Sequence, residues 1–237
     1  GFQLGRLLGD TRIGPVAFNG ELKGQGFDPV QGNAEINGTV NSFEWKGYTY
    51  SNLTLLGKLR NKEFIGEGII DDPNLKARLN GSFNLNTEQP EYNLTVEVQR
   101  GNLNAIGLTE ANMNVLGKFR LNFKGKTIDD LIGEASLYDV ALTKDDQTYV
   151  FDTLYMYSMK IDNNKQIEIS NSDINISLFG VFNVTDLPQT LNSYLSKYYP
   201  LYFKAPEVPI EGQDFSFTAD LKNIDQYLPL LDSKMNG

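Results

Sequence analysis

A large apolar residue, any residue, glycine, any residue and a second large apolar residue recur six times along the chain. The copies are Phe18-Asn19-Gly20-Glu21-Leu22, Ile36-Asn37-Gly38-Thr39-Val40, Leu55-Leu56-Gly57-Lys58-Leu59, Leu79-Asn80-Gly81-Ser82-Phe83, Val115-Leu116-Gly117-Lys118-Phe119 and Leu178-Phe179-Gly180-Val181-Phe182. Successive side chains of a strand point to opposite faces, so each glycine shares a face with its two apolar flanks, and mostly polar side chains take the other. The pattern suits a half-buried strand and disfavours a helix, because its apolar period is 2 and glycine weakens helices. The chain builds a greasy face repeatedly and each time omits one side chain from it.

Period-2 alternation predicts strands with one apolar face over residues 16–22, 34–40, 77–85, 92–98, 113–123, 174–184 and 215–221. Turn signals separate them at residues 23–26, 71–74, 86–90 and 162–165. Trp45-Lys46-Gly47-Tyr48 predicts a tight hairpin in which Gly47 takes positive φ, and the shift of apolar parity from Val40 to Phe43 predicts a bulge at Asn41-Ser42. Only residues 187–199 carry strong helical periodicity, with Pro188 at the start, Leu191, Tyr194, Leu195 and Tyr198 on one face, and Pro200 ending the run. The polar side of that helix carries one Lys and no Arg, so its apolar face is expected to pack on the sheet and not on a membrane. Weaker helical turns are expected at residues 128–132 and 224–231.

Too few helices exist to cover so many half-apolar strands, so the sheet must cover itself. A sandwich, a closed barrel or a folded-over sheet would each do so. Glycine spacings of 18, 19 and 24 residues from Gly20 to Gly81 favour repeated hairpins in an elongated array. The expected fold is therefore all-β and mainly antiparallel, an elongated folded-over sheet with an apolar interior groove and one or two short accessory helices. Residues 1–107 form its first half and 108–237 its second, with the helix near 187–199.

The residue inventory restricts the chemistry. Histidine and cysteine are absent, which removes imidazole bases, Ser-His-Asp and Cys-His arrangements, thiol chemistry and His- or Cys-ligated metals. Paired acids remain, at Asp71-Asp72, Asp129-Asp130 and Asp145-Asp146, but each doublet sits at a loop signal where aspartate caps turns. Asp162-Asn163-Asn164-Lys165-Gln166 has Ile167 where a calcium loop needs glycine, and Gly24-Gln25-Gly26 has Pro29 where a dinucleotide fingerprint needs its third. Trp45, Tyr48, Tyr50, Tyr155 and Tyr157 could form an aromatic platform for sugars or lipid tails, although core packing explains them more simply. A formal charge of −9, with no run among the 21 basic residues, excludes nucleic acid as a partner. No catalytic residue, metal or cofactor is expected, and the chain reads as a non-enzyme. No apolar run approaches the ~18 residues needed to cross a bilayer, and the ends read as those of an excised fragment.

Taken together, Gly20-Glu21-Leu22, Gly38-Thr39-Val40, the aromatic hairpin Phe43-Glu44-Trp45-Lys46-Gly47-Tyr48-Thr49-Tyr50-Ser51-Asn52-Leu53, Gly66-Glu67-Gly68-Ile69-Ile70-Asp71-Asp72-Pro73 and Ile128-Asp129-Asp130-Leu131-Ile132-Gly133-Glu134-Ala135-Ser136-Leu137 resemble the TamB branch of the AsmA-like proteins of double-membrane bacteria, particularly Bacteroidetes-type sequences. The resemblance implies a periplasmic segment of a long protein anchored in the inner membrane. It implies a sheet folded lengthwise into a β-taco, phospholipid acyl chains as cargo and a BamA-type outer-membrane barrel as partner. The chain departs from the family in lacking the N-terminal anchor and an obvious barrel-docking segment.

On the residues themselves, Phe18, Ile36, Leu55, Leu79, Phe83, Leu94, Val96, Val115, Phe119, Phe123, Ile176 and Phe182 are the expected lining of an apolar groove. The inward glycines either leave room for an acyl chain and let the sheet curl, or relieve crowding in a dry core. The expected function is carriage of phospholipid between the two membranes in support of outer-membrane biogenesis. The alternatives are a scaffold or chaperone that assembles barrel proteins by β-augmentation and, ranked lower, a carbohydrate-binding β protein.

Overall fold

A computed structural model describes residues 13–25, 33–45, 47–85, 88–201, 210 and 212–223. Twelve strands follow in chain order: β1 (Ile13–Gln25), β2 (Asn33–Trp45), β3 (Tyr48–Arg60), β4 (Glu63–Asp71), β5 (Leu75–Asn84), β6 (Glu91–Asn102), β7 (Met113–Lys124), β8 (Ile132–Lys144), β9 (Gln147–Ile161), β10 (Asn164–Ser170), β11 (Ile174–Val181) and β12 (Asp214–Leu221). Each pairs with its sequence neighbours in one open 12-stranded sheet, the all-β, mainly antiparallel array expected, although a long helix-bearing segment and not a hairpin joins β11 to β12. Short 3-10 turns occupy Ile128–Asp130 and Val184–Asp186, and one α-helix among the described residues, α1, spans Leu187–Tyr198 with Pro188 in its first turn. The turn expected at residues 224–231 lies outside the described residues.

The hairpins follow local chemistry. Trp45 pairs with Tyr48 across a two-residue loop in which Gly47 has φ +80°, a conformation that β-branched residues avoid. Asn61-Lys62 and Asp145-Asp146 close the β3–β4 and β8–β9 hairpins with positive φ at both central residues, the backbone that two-residue loops need to match strand twist. Asp162, at φ +55°, opens the β9–β10 turn. The bulge expected at Asn41-Ser42 is present: Ala17 faces Ser42 while Phe18 faces Val40, leaving Asn41 as the extra residue. Residues 23–25, expected to begin a turn, instead extend β1, with Lys23, Gly24 and Gln25 pairing with Glu35, Ala34 and Asn33.

Contacts divide the chain into two compact units. The first comprises the described residues up to Asn122 with Ala135–Leu154, and the second Phe123–Glu134 with Tyr155–Asn223. In the second, Ile167, Leu178 and Phe182 form a buried core, joined by Ile169, Ile176, Val184, Leu187 and Phe215.

Three glycines at the centre of the first unit, Gly57, Gly66 and Gly81, do not leave a gap. Gly57, Gly66 and Gly81 pair across β3, β4 and β5 in one row, flanked by Ile36 and Leu94. A Cβ on Gly81 would lie 2.0 Å from the Asn93 carbonyl oxygen, and one on Gly66 would lie 2.3 Å from that of Leu56. Opposed Cβ atoms in an ordinary sheet stand about 5 Å apart, so the backbones fold toward one another along this row. Gly81 also has φ +142°, open only to glycine, and Gly117 and Gly180 repeat that conformation in their own copies of the pattern. The omitted side chains make room for a neighbouring strand. Phe64 lies over the row, with its ring tip at the Gly57 and Gly66 positions and its plane stacked on Phe83 at 5.1 Å.

Candidate functional site

Strand register assembles an apolar surface on the first unit. Paired residues share a face, so β3 to β6 place Leu59, Phe64, Phe83 and Tyr92 in one row, the glycine row with Leu94 next, then Leu55, Gly68, Leu79 and Val96, then Leu53, Ile70, Ala77 and Val98. Of the residues expected to line a groove, Ile36, Leu55, Leu79, Phe83, Leu94 and Val96 meet here. Each is only half-buried although it sits on the apolar face. Val115 and Phe119, on β7, are likewise half-buried. Phe18 pairs through its backbone with Val40, and its side chain lies outside the described residues. Phe123, in the second unit, is buried. Ile176 and Phe182 belong to the core of the second unit, where the Phe182 ring meets Phe215 at 5.3 Å with the planes tilted by 56°.

The surface is organised at one end by a buried carboxylate. Asp72, 2% exposed in the β4–β5 turn, accepts hydrogen bonds from the Tyr48 hydroxyl (2.6 Å), the Ser51 amide and hydroxyl (2.9 Å each) and the Asn74 amide (2.8 Å). Burial alone would raise its pKa, but the donors from Tyr48, Asn74 and Ser51 outweigh burial and hold the carboxyl below the ordinary value of 3.8. The Tyr48 phenol is pushed up, by burial first and then by its bond to Asp72. Phe43 stacks on Tyr50 at 4.9 Å, Tyr48 meets Tyr50 edge-on at 4.7 Å and Trp45 approaches it at 6.5 Å. The aromatic hairpin is thus packed against its own rings and tied to a turn. Tyr155 and Tyr157, expected as possible members of the same platform, are exposed on β9. Tyr48→Phe, which removes one donor to Asp72, is expected to cost about 1–2 kcal/mol of stability in urea denaturation.

The other acid doublets also serve the backbone. Asp129 Oδ1 accepts from the Thr185 amide (3.0 Å) and Oδ2 from the Thr185 hydroxyl (2.9 Å), while Asp130 accepts from the Thr127 hydroxyl at 2.8 Å. Burial pushes the Asp129 carboxyl up, but the Thr185 donors reverse this and leave it lowered. The Lys165 ammonium donates to the Asp129 carbonyl and lies 5.4 Å from the centre of the Phe182 ring. Asp145 and Asp146 form a hairpin loop. Asp72 and Asp129 could not be identified from sequence as the two organising acids, because all three doublets carry the same local signal.

The expected packing of α1 on the sheet is corrected. Leu191, Tyr194 and Tyr198 are exposed, the two tyrosines at 57% and 65%, and α1 buries no residue. Only Leu187, one turn before the predicted stripe, joins the core.

A depression of about 270 Å³ on the first unit is lined by Glu21, Lys23, Glu35, Asn37 and Lys58 beside Ile36, Leu56 and Gly57. Its charges pair off, Lys23 with Glu21 at 2.9 Å and Lys58 with Glu35 at 3.2 Å, so it suits neither an acyl chain nor a fixed ion. Among the described residues no cluster of acids is arranged to hold a metal, and no helix is long and apolar enough to cross a membrane. Comparison with protein-family models, with curated proteins and with solved structures finds no match to this chain.

Proposed function

We propose that this chain is a segment of a TamB-like bridge protein that carries phospholipid acyl chains along the apolar face of its sheet. The observation that carries the reading is the incomplete burial of Leu55, Leu79, Phe83, Leu94 and Val96 on one continuous surface. Each such side chain leaves at most about 1 kcal/mol of burial unrealised, and an acyl chain lying across them would recover it without any polar partner. The absence of imidazole and thiol supports a non-enzymatic role. By the family resemblance the segment works in the periplasm, within an inner-membrane-anchored protein that meets a BamA-type barrel at the outer membrane, and it supports outer-membrane biogenesis. The folded glycine rows shape the carrying surface and do not themselves hold the cargo.

A photoreactive amino acid at Phe83 or Phe119 is expected to crosslink phospholipid when the protein is expressed in a double-membrane bacterium, whereas Leu56, on the opposite face, is expected to give none. Equal capture at both faces, or at neither, would sink the reading.

One observation favours a second reading. Among the described residues β12 pairs only with β11, and its Phe217 is exposed, so an incoming strand could add to this edge. Under that reading, peptides with alternating apolar residues bind and micellar lipid does not compete.

A further inference from the structure

The second unit carries its own apolar face, and one end of it is stoppered. Register places Ile167, Leu178 and Phe217 in one row, Ile169, Ile176 and Ala219 in the next, and Ile174 opposite Leu221 beyond them. On β10 and β11 burial falls along this series, from buried Ile167 and Leu178 to half-buried Ile169, Ile176 and Ile174, while Phe217, Ala219 and Leu221 of the edge strand β12 are exposed throughout. The closed end is the one where Phe182, Val184 and Leu187 pack onto the core.

We infer that residues 184–198 form a displaceable strap, latched by Asp129, that blocks one end of an acyl-chain path over β10–β12. The inference rests on the acyl-groove reading and adds a control element to it. The two sides of the latch differ in how they are held. The fixed half, the turn at Ile128–Asp130, is tied to the sheet by Lys165 of β10 bonding the Asp129 carbonyl and by the Ser158 hydroxyl of β9 bonding the Leu131 carbonyl at 2.8 Å. The strap meets that half through the two Asp129–Thr185 bonds. At its root the Asn183 amide donates to Gln213 Oε1, and Asp186 accepts from the Asn183 and Gln213 side chains. Beyond Leu187 no residue of α1 is fully buried, and of its apolar stripe only Leu195 is half-buried. The apolar cover is thus two side chains wide, and its position is set by a carboxylate on a neighbouring turn.

The test compares the full chain with Asp129→Ala and with Asp130→Ala, whose carboxylate holds only its own turn. Hydrogen exchange at residues 184–198 is expected to accelerate roughly ten- to hundredfold in Asp129→Ala, the range set by losing hydrogen bonds to a charged acceptor. Exchange in β10, β11 and the first unit should stay unchanged, as should everything in Asp130→Ala. Binding of cis-parinaric acid, a fluorescent acyl probe, should tighten about tenfold in Asp129→Ala alone. Acceleration spread over both units would mean that Asp129 only stabilises the fold, and would overturn the strap. An accelerated strap with no gain in probe binding would also overturn it, while retained lipid capture at Phe83 would leave the groove reading standing. Loss of capture at Phe83 would remove the groove reading itself.

Discussion

Gly81→Val is expected to unfold the first unit under conditions where the wild type is native. The new Cβ would stand 2.0 Å from the Asn93 carbonyl oxygen, and the backbone there has φ +142°. Neither strain has a flexible side chain to absorb it, because the contact is with main chain. The backbone penalty and the forced displacement of β6 together amount to about 3–5 kcal/mol, a large share of the ~5–15 kcal/mol that holds a typical domain. Gly47→Ala is the informative control, since Gly47 has positive φ and open space around it, and it should cost only about 1 kcal/mol. Chemical denaturation followed by tyrosine and tryptophan fluorescence measures both. If Gly81→Val were as mild as Gly47→Ala, the close approach of β5 and β6 would be wrong.

Asp72→Ala carries the second large effect. It strands the Tyr48 hydroxyl, the Ser51 amide and hydroxyl and the Asn74 amide, and a cost of about 3–4 kcal/mol is expected, as several donors lose a charged acceptor at once. The pH dependence follows from the sign of the shift. The folded carboxyl is held below 3.8, so the unfolded chain takes up the proton first as pH falls. The contribution is therefore complete above the unfolded value and lost as pH drops through the folded one. Wild type minus Asp72→Asn stability, measured from pH 7 down to pH 2, should shrink only on the acid side of about pH 4. A difference that stayed constant over that range would remove Asp72 from the role of charged acceptor.

Legibility from sequence varied with how local the determining physics is. Strands β1, β2, β5, β6, β7, β11 and β12 show as alternation because one face of each is apolar and the other polar. β9 escaped that reading: Leu154-Tyr155-Met156-Tyr157 is apolar on both faces, so the period-2 signal vanishes. β8 escaped it because Asp139, at φ +50°, interrupts the alternation midway. Hairpins at Gly47 and Asp162 and the helix start at Pro188 were legible, since a positive φ or a fixed φ is a property of one residue.

Of the candidate surface, the sequence alone determined which residues share a face with which, because side-chain direction in a strand depends only on parity. It also determined, by omitting His and Cys, which chemistries the surface lacks. Only the tertiary structure decided what stands opposite each glycine, since Asn93 lies twelve residues from Gly81 and the distance between their backbones depends on how the strands fold along that row. It likewise decided that Asp72 and Asp129 are the organising acids and that α1 leaves most of its apolar stripe exposed, because burial and hydrogen bonding are set by partners far away in the chain. Parity is inherited from the backbone of a single strand, whereas occupancy of the space beside a residue belongs to its neighbours. The glycine pattern therefore predicted a greasy face, and only the neighbouring strands revealed that at Gly57, Gly81, Gly117 and Gly180 the missing side chain makes way for the strand beside it.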